Sequence, residues 1–330
     1  MKNVRLKDIA ERLDLTKVSV SKALRDHSDI SDETKRRVKK MAEEMGYRPN
    51  LVARSLTSNK TQIVGVIVPK IAHSFFSSVI EGIYQAALKS DYEVILGVSM
   101  EDDKLERKHI ESMLDMRVEG LLISVSEKTK SVDQFDLVKR MDANLVFFDR
   151  GFSGSSYTYL KVNDREGAKR GVRHMIERGY EKIGHLSGFM SIEIGKDRRL
   201  GYQDALEEAG RKVNQAGIVE AGFSEEDGYR GFAQLMEQYG KPDAVFCVTY
   251  PVGLGVLQYM KDHEIDPSEI AILSFGSSEF NQYLANPFTC IDQSTFELGY
   301  RAFEQLVSEI ESDEEVVPQL ISLEADILDN

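Results

Sequence analysis

Ile63-Val64-Gly65-Val66-Ile67-Val68-Pro69, then a helical stretch over 75–90, then Tyr92-Glu93-Val94-Ile95-Leu96-Gly97-Val98 is the passage that decides the fold. Each apolar run is short, rich in β-branched residues and bounded by a turn or a charge, which is how a buried strand reads. The same alternation continues with a helix near 103–116, a strand over 120–124, a helix near 131–142 and a strand over 144–149. A second series begins near Gly167. It has a helix to 178, KIGHLSG (182–188), a helix near 197–209, a short strand at 218–220, a helix near 225–239, AVFCV (244–248), a helix near 252–263 and IAILSFG (270–276). A tail adds a strand over 289–293, a helix over 295–311 and a strand over 316–323. Strands alternating with helices predict α/β architecture with parallel sheets joined by right-handed crossovers. Two successive series of similar length predict an internal duplication.

Working outward, composition sets limits. Of 330 residues, 42% are hydrophobic and 29% charged, so a core is available and global disorder is excluded. No apolar run approaches the ~20 residues that cross a bilayer. The opening MKNVRLKDIAERL carries no apolar export segment, so a cytoplasmic location is expected. Cys247 and Cys290 cannot make a disulfide framework, which fits a reducing compartment. The net charge of −13 is unevenly spread: residues 1–60 carry 15 Lys/Arg and 9 Asp/Glu (+6), leaving 27 and 46 (−19) for 61–330. A basic head on an acidic body points to a polyanion engaged by the head alone.

Within that head, Leu6, Ile9, Ala10 and Leu13 share one helical stripe, and Thr16 is placed to cap a second helix over 17–24. A third helix opens at Ser31-Asp32-Glu33-Thr34, runs through Val38, Met41, Ala42 and Met45, and stops at Gly46. Two short helices joined by a tight turn, with a third closing the core, describe a helix-turn-helix. Lysines and hydroxyls on the outer face of the second helix suit phosphates and base edges, and Val18 suits a thymine methyl. After a proline break, the stretch 50–58 is too short to be helical alone and would order only against a partner surface.

TKVSVSKAL (16–24), ISDETKRRV (30–38) and GYRPNLVARSL (46–56), in this order and spacing, resemble the head and hinge of lac repressor family transcription regulators. The resemblance implies that Lys17, Val18 and Lys22 read base edges while Thr16, Ser19, Ser21, Thr34 and Asn50 touch the backbone. It implies a hinge helix at 50–60 in which Ala53 allows close approach, Arg54 binds DNA and Leu56 wedges a base step. Departures are Asp14 in place of the turn glycine, Arg25 in place of an asparagine, and Arg5 at the first cap. The body resembles the family's periplasmic-binding-protein-like core through Gly65–Pro69, Phe75-Phe76, Val118-Glu119-Gly120 and Arg198-Arg199-Leu200-Gly201-Tyr202. The implied organisation is a helix-turn-helix domain at 1–49, the hinge at 50–60 and an effector-binding core at 61–330. That core comprises one subdomain of 61–162 plus 291–322 and another of 163–290.

Ligands in such sheets sit at strand carboxyl ends. That rule and the resemblance together single out Phe75, Phe76, Asp149, Arg150, Arg198, Phe223, Thr249 and Gly276 as effector contacts. Thr249-Tyr250-Pro251 stands where the family commonly has Asn-Asp, and no aspartate follows Ser274-Phe275-Gly276. Those missing groups normally fork sugar hydroxyls. With Arg150, Lys196 and Arg198 nearby, an anionic effector such as a sugar phosphate or carboxylate is admitted beside a neutral sugar. Expected partners are an operator duplex, a second copy of the chain and a small-molecule effector, with no membrane, metal or cofactor. A dimer is the default because no leucine heptad follows the last strand. Catalysis is not expected: Gly151-Phe152-Ser153-Gly154-Ser155 lacks the strand-to-helix elbow of a hydrolase, and Gly253-Leu254-Gly255 lacks the third glycine of a phosphate loop. The rival readings are control by a protein partner, and an α/β ligand-binding protein or enzyme with a helical interaction head.

Overall fold

A computed structural model describes residues 4–47, 61–72 and 74–329. Asn50, Ala53, Arg54 and Leu56, and with them the expected hinge helix, lie outside the described residues. The chain divides into two compact units, 1–61 and 62–330.

In the first unit, α1 (Leu6–Leu13), α2 (Lys17–Leu24) and α3 (Asp32–Glu44) surround Ile9, Ala10, Val20, Ala23, Val38 and Ala42. Local chemistry fixes each end. The Asp8 carboxylate accepts from the Arg5 N–H at 2.8 Å, replacing the cap that Arg5 lacks. Asp14 adopts the left-handed conformation (φ 53°) that turns the chain between α1 and α2. Thr16 and Ser31 cap α2 and α3, accepting from the N–H of Ser19 and of Thr34.

The second unit contains two six-stranded sheets. The first joins β1 (Ile63–Val68), β2 (Glu93–Val98), β3 (Gly120–Ile123), β4 (Asn144–Phe148), β5 (Thr158–Val162) and β11 (Leu320–Leu323), all parallel, in the order β11-β5-β4-β3-β1-β2. The second joins β6 (Ile183–Ser187), β7 (Ile218–Glu220), β8 (Ala244–Cys247), β9 (Ala271–Phe275), β10 (Thr289–Asp292) and β12 (Asp326–Leu328) in the order β12-β10-β9-β8-β6-β7. Only β12 runs antiparallel there. Subtracting five from β6–β10 reproduces the order of the first sheet, which is the duplication the two sequence series predict. Helices α4 (Ser74–Lys89), α5 (Asp103–Asp115), α6 (Asp136–Arg140), α7 (Asp164–Glu177), α8 (Glu193–Glu208), α9 (Glu225–Tyr239), α10 (Tyr250–Asp262) and α11 (Thr295–Glu311) make the crossovers. Strands such as β1, β3 and β5 are buried almost end to end, as helix-covered parallel strands must be.

Four features differ from what the sequence predicts. Strand β5 was not anticipated, nor was β12. Ile291 and Asp292, expected in the first subdomain, belong to the second sheet, and the chain crosses between halves three times: after Val162, after Asp292 and after Leu323. The expected helix near 131–142 is a 3-10 turn over Val132–Phe135 followed by the single turn of α6.

Close approach of α4 and α11 rests on two glycines. A Cβ at Gly82 would stand 2.1 Å from the Phe296 carbonyl oxygen, and one at Gly299 would stand 2.0 Å from that of Val79. Since backbone cannot yield locally, Gly82→Ala should push the helices apart and destabilise the core by about 1–3 kcal/mol in urea unfolding. An unchanged midpoint would refute this account of the contact.

Candidate effector cleft and DNA-reading face

The carboxyl ends of the first-sheet strands and those of the second sheet line a common cavity of about 700 Å³. Phe75, Phe76, Asp149, Arg150, Arg198, Phe223, Thr249 and Gly276 all line it. Phe76 also belongs to the hydrophobic core, where its ring meets Phe75 edge-on at 5.0 Å. Lys196 is exposed and does not line the cavity, which removes one of the three cations invoked for an anionic effector.

Asp149 ends β4 in a left-handed conformation (φ 58°), an uncommon backbone for a side chain to adopt. Its carboxylate accepts from the Ser124 hydroxyl at 3.0 Å and faces the Arg150 Nε at 3.9 Å. Burial pushes its pKa up to about 6, with Arg150 and Ser124 pulling the other way. Arg150 is held by Glu101, whose two oxygens lie 3.0 and 3.2 Å from Nη1, and it stands 5.7 Å from the Phe223 ring of the opposite half. Arg198 is more firmly tied. Its Nε donates to Asp164 Oδ1 at 2.7 Å, Nη1 donates to the Val248 carbonyl, Nη2 donates to Gln293 Oε1 at 3.3 Å, and the guanidinium lies 3.7 Å from the Phe275 ring centre. A second contact between the halves lies at Lys161 on β5, 2.6 Å from Glu193 and 3.0 Å from Asp197, both on α8.

Counterions were what the sequence reading missed. Glu101, Asp164, Glu193 and Asp197 stand 30 or more positions from the cations they bind, and no local motif announces them. Among the described residues, the cavity wall holds seven carboxylates (Glu81, Glu101, Glu127, Asp149, Asp227, Glu279, Asp292) against three cations (Lys70, Arg150, Arg198).

On the first unit, Val20 and Ala23 of α2 are buried, while Lys17 and Val18 point outward. Val18 is 63% exposed, an isolated apolar group suited to a methyl partner. Thr16 and Ser19 hydroxyls bond each other at 2.9 Å, as do those of Ser31 and Thr34. Ser21 is half-buried, and Lys22 is engaged with Asp29, a residue sequence reasoning did not single out.

Residues 61–325 match the family of "Periplasmic binding proteins and sugar binding domain of LacI family", and residues 5–50 match "Bacterial regulatory proteins, lacI family". The chain belongs to the lacI family. Among curated relatives, this lacI-family protein is 29% identical to the ribose operon repressor of Haemophilus influenzae over 311 residues, covering 94% of this chain and 93% of that one. It is likewise 29% identical to the transcriptional repressor PurR of Vibrio atlanticus, covering 92% and 91%. A solved lac repressor dimer, bound to operator and an anti-inducer, superposes with a TM-score of 0.87 at 20% identity, covering 99% and 98% of the two chains. That last likeness concerns the fold. The lacI-family chain is thus a DNA-binding transcription regulator. Among its described residues no helix is long and apolar enough to cross a membrane.

Proposed function

We propose that the protein is a cytoplasmic repressor that binds a near-palindromic operator as a homodimer and is controlled by a small polyhydroxylated effector between the halves of its core. The observation that carries this is a cavity of about 700 Å³ walled by both halves of the core in a chain that also carries a helix-turn-helix. An occupant of that cavity can shift the halves only by binding one arrangement better than the other, and the coupling to DNA affinity is reciprocal, typically ~1–3 kcal/mol. No catalytic step is proposed.

The cavity wall supports a neutral sugar over a sugar-derived anion. Arg150 and Arg198 are each neutralised by a dedicated carboxylate, Glu101 and Asp164. The remaining lining acids outnumber Lys70, so an anion would enter against the local field. Hydroxyls of Ser74, Ser77, Ser78, Thr249 and Ser277 and the rings of Phe75, Phe189 and Phe223 offer the mixed polar and apolar surface a sugar uses. A sugar also fits the name of the Haemophilus relative.

Selection from randomised duplexes with the full chain should yield one palindromic sequence, and deletion of residues 1–60 should abolish it while sparing effector binding. Calorimetry with paired neutral and 6-phosphorylated sugars should show neutral members binding at least tenfold tighter. Tight binding by phosphorylated members alone would overturn the effector class and leave the regulator reading standing. Response only to a protein in pull-down would replace the metabolite by a partner.

A further inference from the structure

The turn between α2 and α3 places an acid on the lysine expected to read DNA. The Lys22 ammonium hydrogen-bonds Asp29 Oδ2, and the other oxygen of Asp29 lies 2.7 Å from His27 Nδ1. The arrangement is built by the backbone: the His27 N–H donates to the Lys22 carbonyl at 3.1 Å, and the Ile30 N–H to the His27 carbonyl at 3.3 Å, folding the turn back over the end of α2. Both side chains remain accessible, Lys22 at 34% and Asp29 at 47%. Lys22 lies on the same helix as outward-facing Lys17 and Val18, away from buried Val20 and Ala23.

A carboxylate on a surface that meets DNA is opposed by every phosphate, so its only favourable partners there are base amino groups. A G·C pair presents acceptors (guanine O6 and N7) beside a donor (cytosine N4–H₂), the O6 and N4 atoms being held about 3 Å apart by their own hydrogen bond. Lys22 and Asp29 offer the complementary donor and acceptor at hydrogen-bonding separation from each other. We propose that Asp29 and Lys22 read one G·C pair as a unit, the ammonium donating to guanine and the carboxylate accepting from cytosine N4, with His27 fixing the carboxylate's orientation. This rests on the operator-binding reading of the head. Neither side chain gives up its partner on binding, so the pair arrives pre-oriented instead of reorganising two flexible side chains.

The test is selection from randomised duplexes with the full chain as wild type, Asp29→Ala, Asp29→Asn and Lys22→Ala, each checked for an unchanged melting temperature. Asp29→Ala should raise affinity for unrelated DNA, because a negative charge is gone, yet lower the G·C preference at one position of each half-site about tenfold or more. Lys22→Ala should flatten the same position, and the double variant should lose no more than either single one. Asp29→Asn keeps one acceptor oxygen and should retain part of the preference. A preference profile unchanged by Asp29→Ala, or losses at different positions for the two residues, would overturn the inference while the operator reading survives. A wild-type chain that selects no sequence would overturn both.

Discussion

Replacing Arg198 by methionine should destabilise the core by about 3–5 kcal/mol, the range for stripping one partner from a buried ion pair. Arg198 is 2% exposed, and Asp164, its counterion, is 3% exposed. Methionine fills much of the space but leaves that carboxylate without its hydrogen-bonded counterion, and the Val248 carbonyl and Gln293 lose their donor as well. These acceptors belong to three places: the start of α7 just after the first crossover, the end of β8, and the second crossover. Arg198 therefore ties the first two of the three crossings to the second sheet while its guanidinium packs on Phe275 in the cavity wall. Urea unfolding of Arg198→Met checks the magnitude. Pairing it with Asp164→Asn, which removes the stranded charge, should recover a substantial part of the loss, a coupling that independent sites would not show. A loss below about 1 kcal/mol would mean that water or a rearranged neighbour satisfies Asp164. In operator binding, Arg198→Met should also blunt the response to effector, since occupation of the cavity would no longer be transmitted to the crossovers.

What the sequence made legible follows from where the information sits. Ile63–Pro69 is apolar throughout because β1 is covered on both faces, and Thr16 and Ser31 are caps through contacts three residues away. Such signals are local. Strand β5 escaped notice because Thr158–Val162 contains a lysine after a Gly/Ser-rich run, and Lys161 is tolerable in a buried strand only because Glu193 and Asp197 meet it from α8. Strand β12 is three residues long and becomes a strand only through its pairing with β10. The cavity residues were accessible through the strand-end rule, which is topological. Their charge state was not, since the partners that neutralise Arg150 and Arg198 are brought in by the fold. The recognition helix could be read from its spacing, whereas the grip of Asp29 on Lys22 depends on how the turn folds back.

His185 should make the protein progressively less stable in acid, and this can be isolated from every other titration. Its ring is fully buried in β6, stacked between Tyr202 at 5.0 Å and Phe246 at 4.6 Å. Nδ1 lies 2.9 Å from the Phe246 carbonyl oxygen, so that nitrogen carries the proton, and the buried Nε2 has no hydrogen-bond partner. A second proton would create an unpaired charge in the core, and burial accordingly pushes the pKa from 6.5 down to about 3. The unfolded chain thus takes up a proton that the folded one refuses. The stability associated with neutral His185 is fully present above pH 6.5 and falls by about 1.4 kcal/mol per pH unit down to about pH 3. Asp149 works the other way: with its pKa raised to about 6, the folded state binds a proton first as pH falls towards 3.8, which stabilises it over that window. Other shifted carboxylates, such as Glu106 and Glu309 raised by burial and Asp204 lowered by Arg165, add slopes of their own, so the informative quantity is the difference from His185→Phe. Phenylalanine keeps the stack and removes the orphaned nitrogen, so at pH 8 the two proteins should lie within about 1.5 kcal/mol of each other. Below pH 6.5 the variant should gain on the wild type by about 1.4 kcal/mol for each unit, reaching roughly 3 kcal/mol near pH 4.5. Parallel profiles from chemical unfolding at each pH would mean that His185 takes its proton inside the fold, and the unpartnered Nε2 would then need an acceptor that the packing around β6 does not supply.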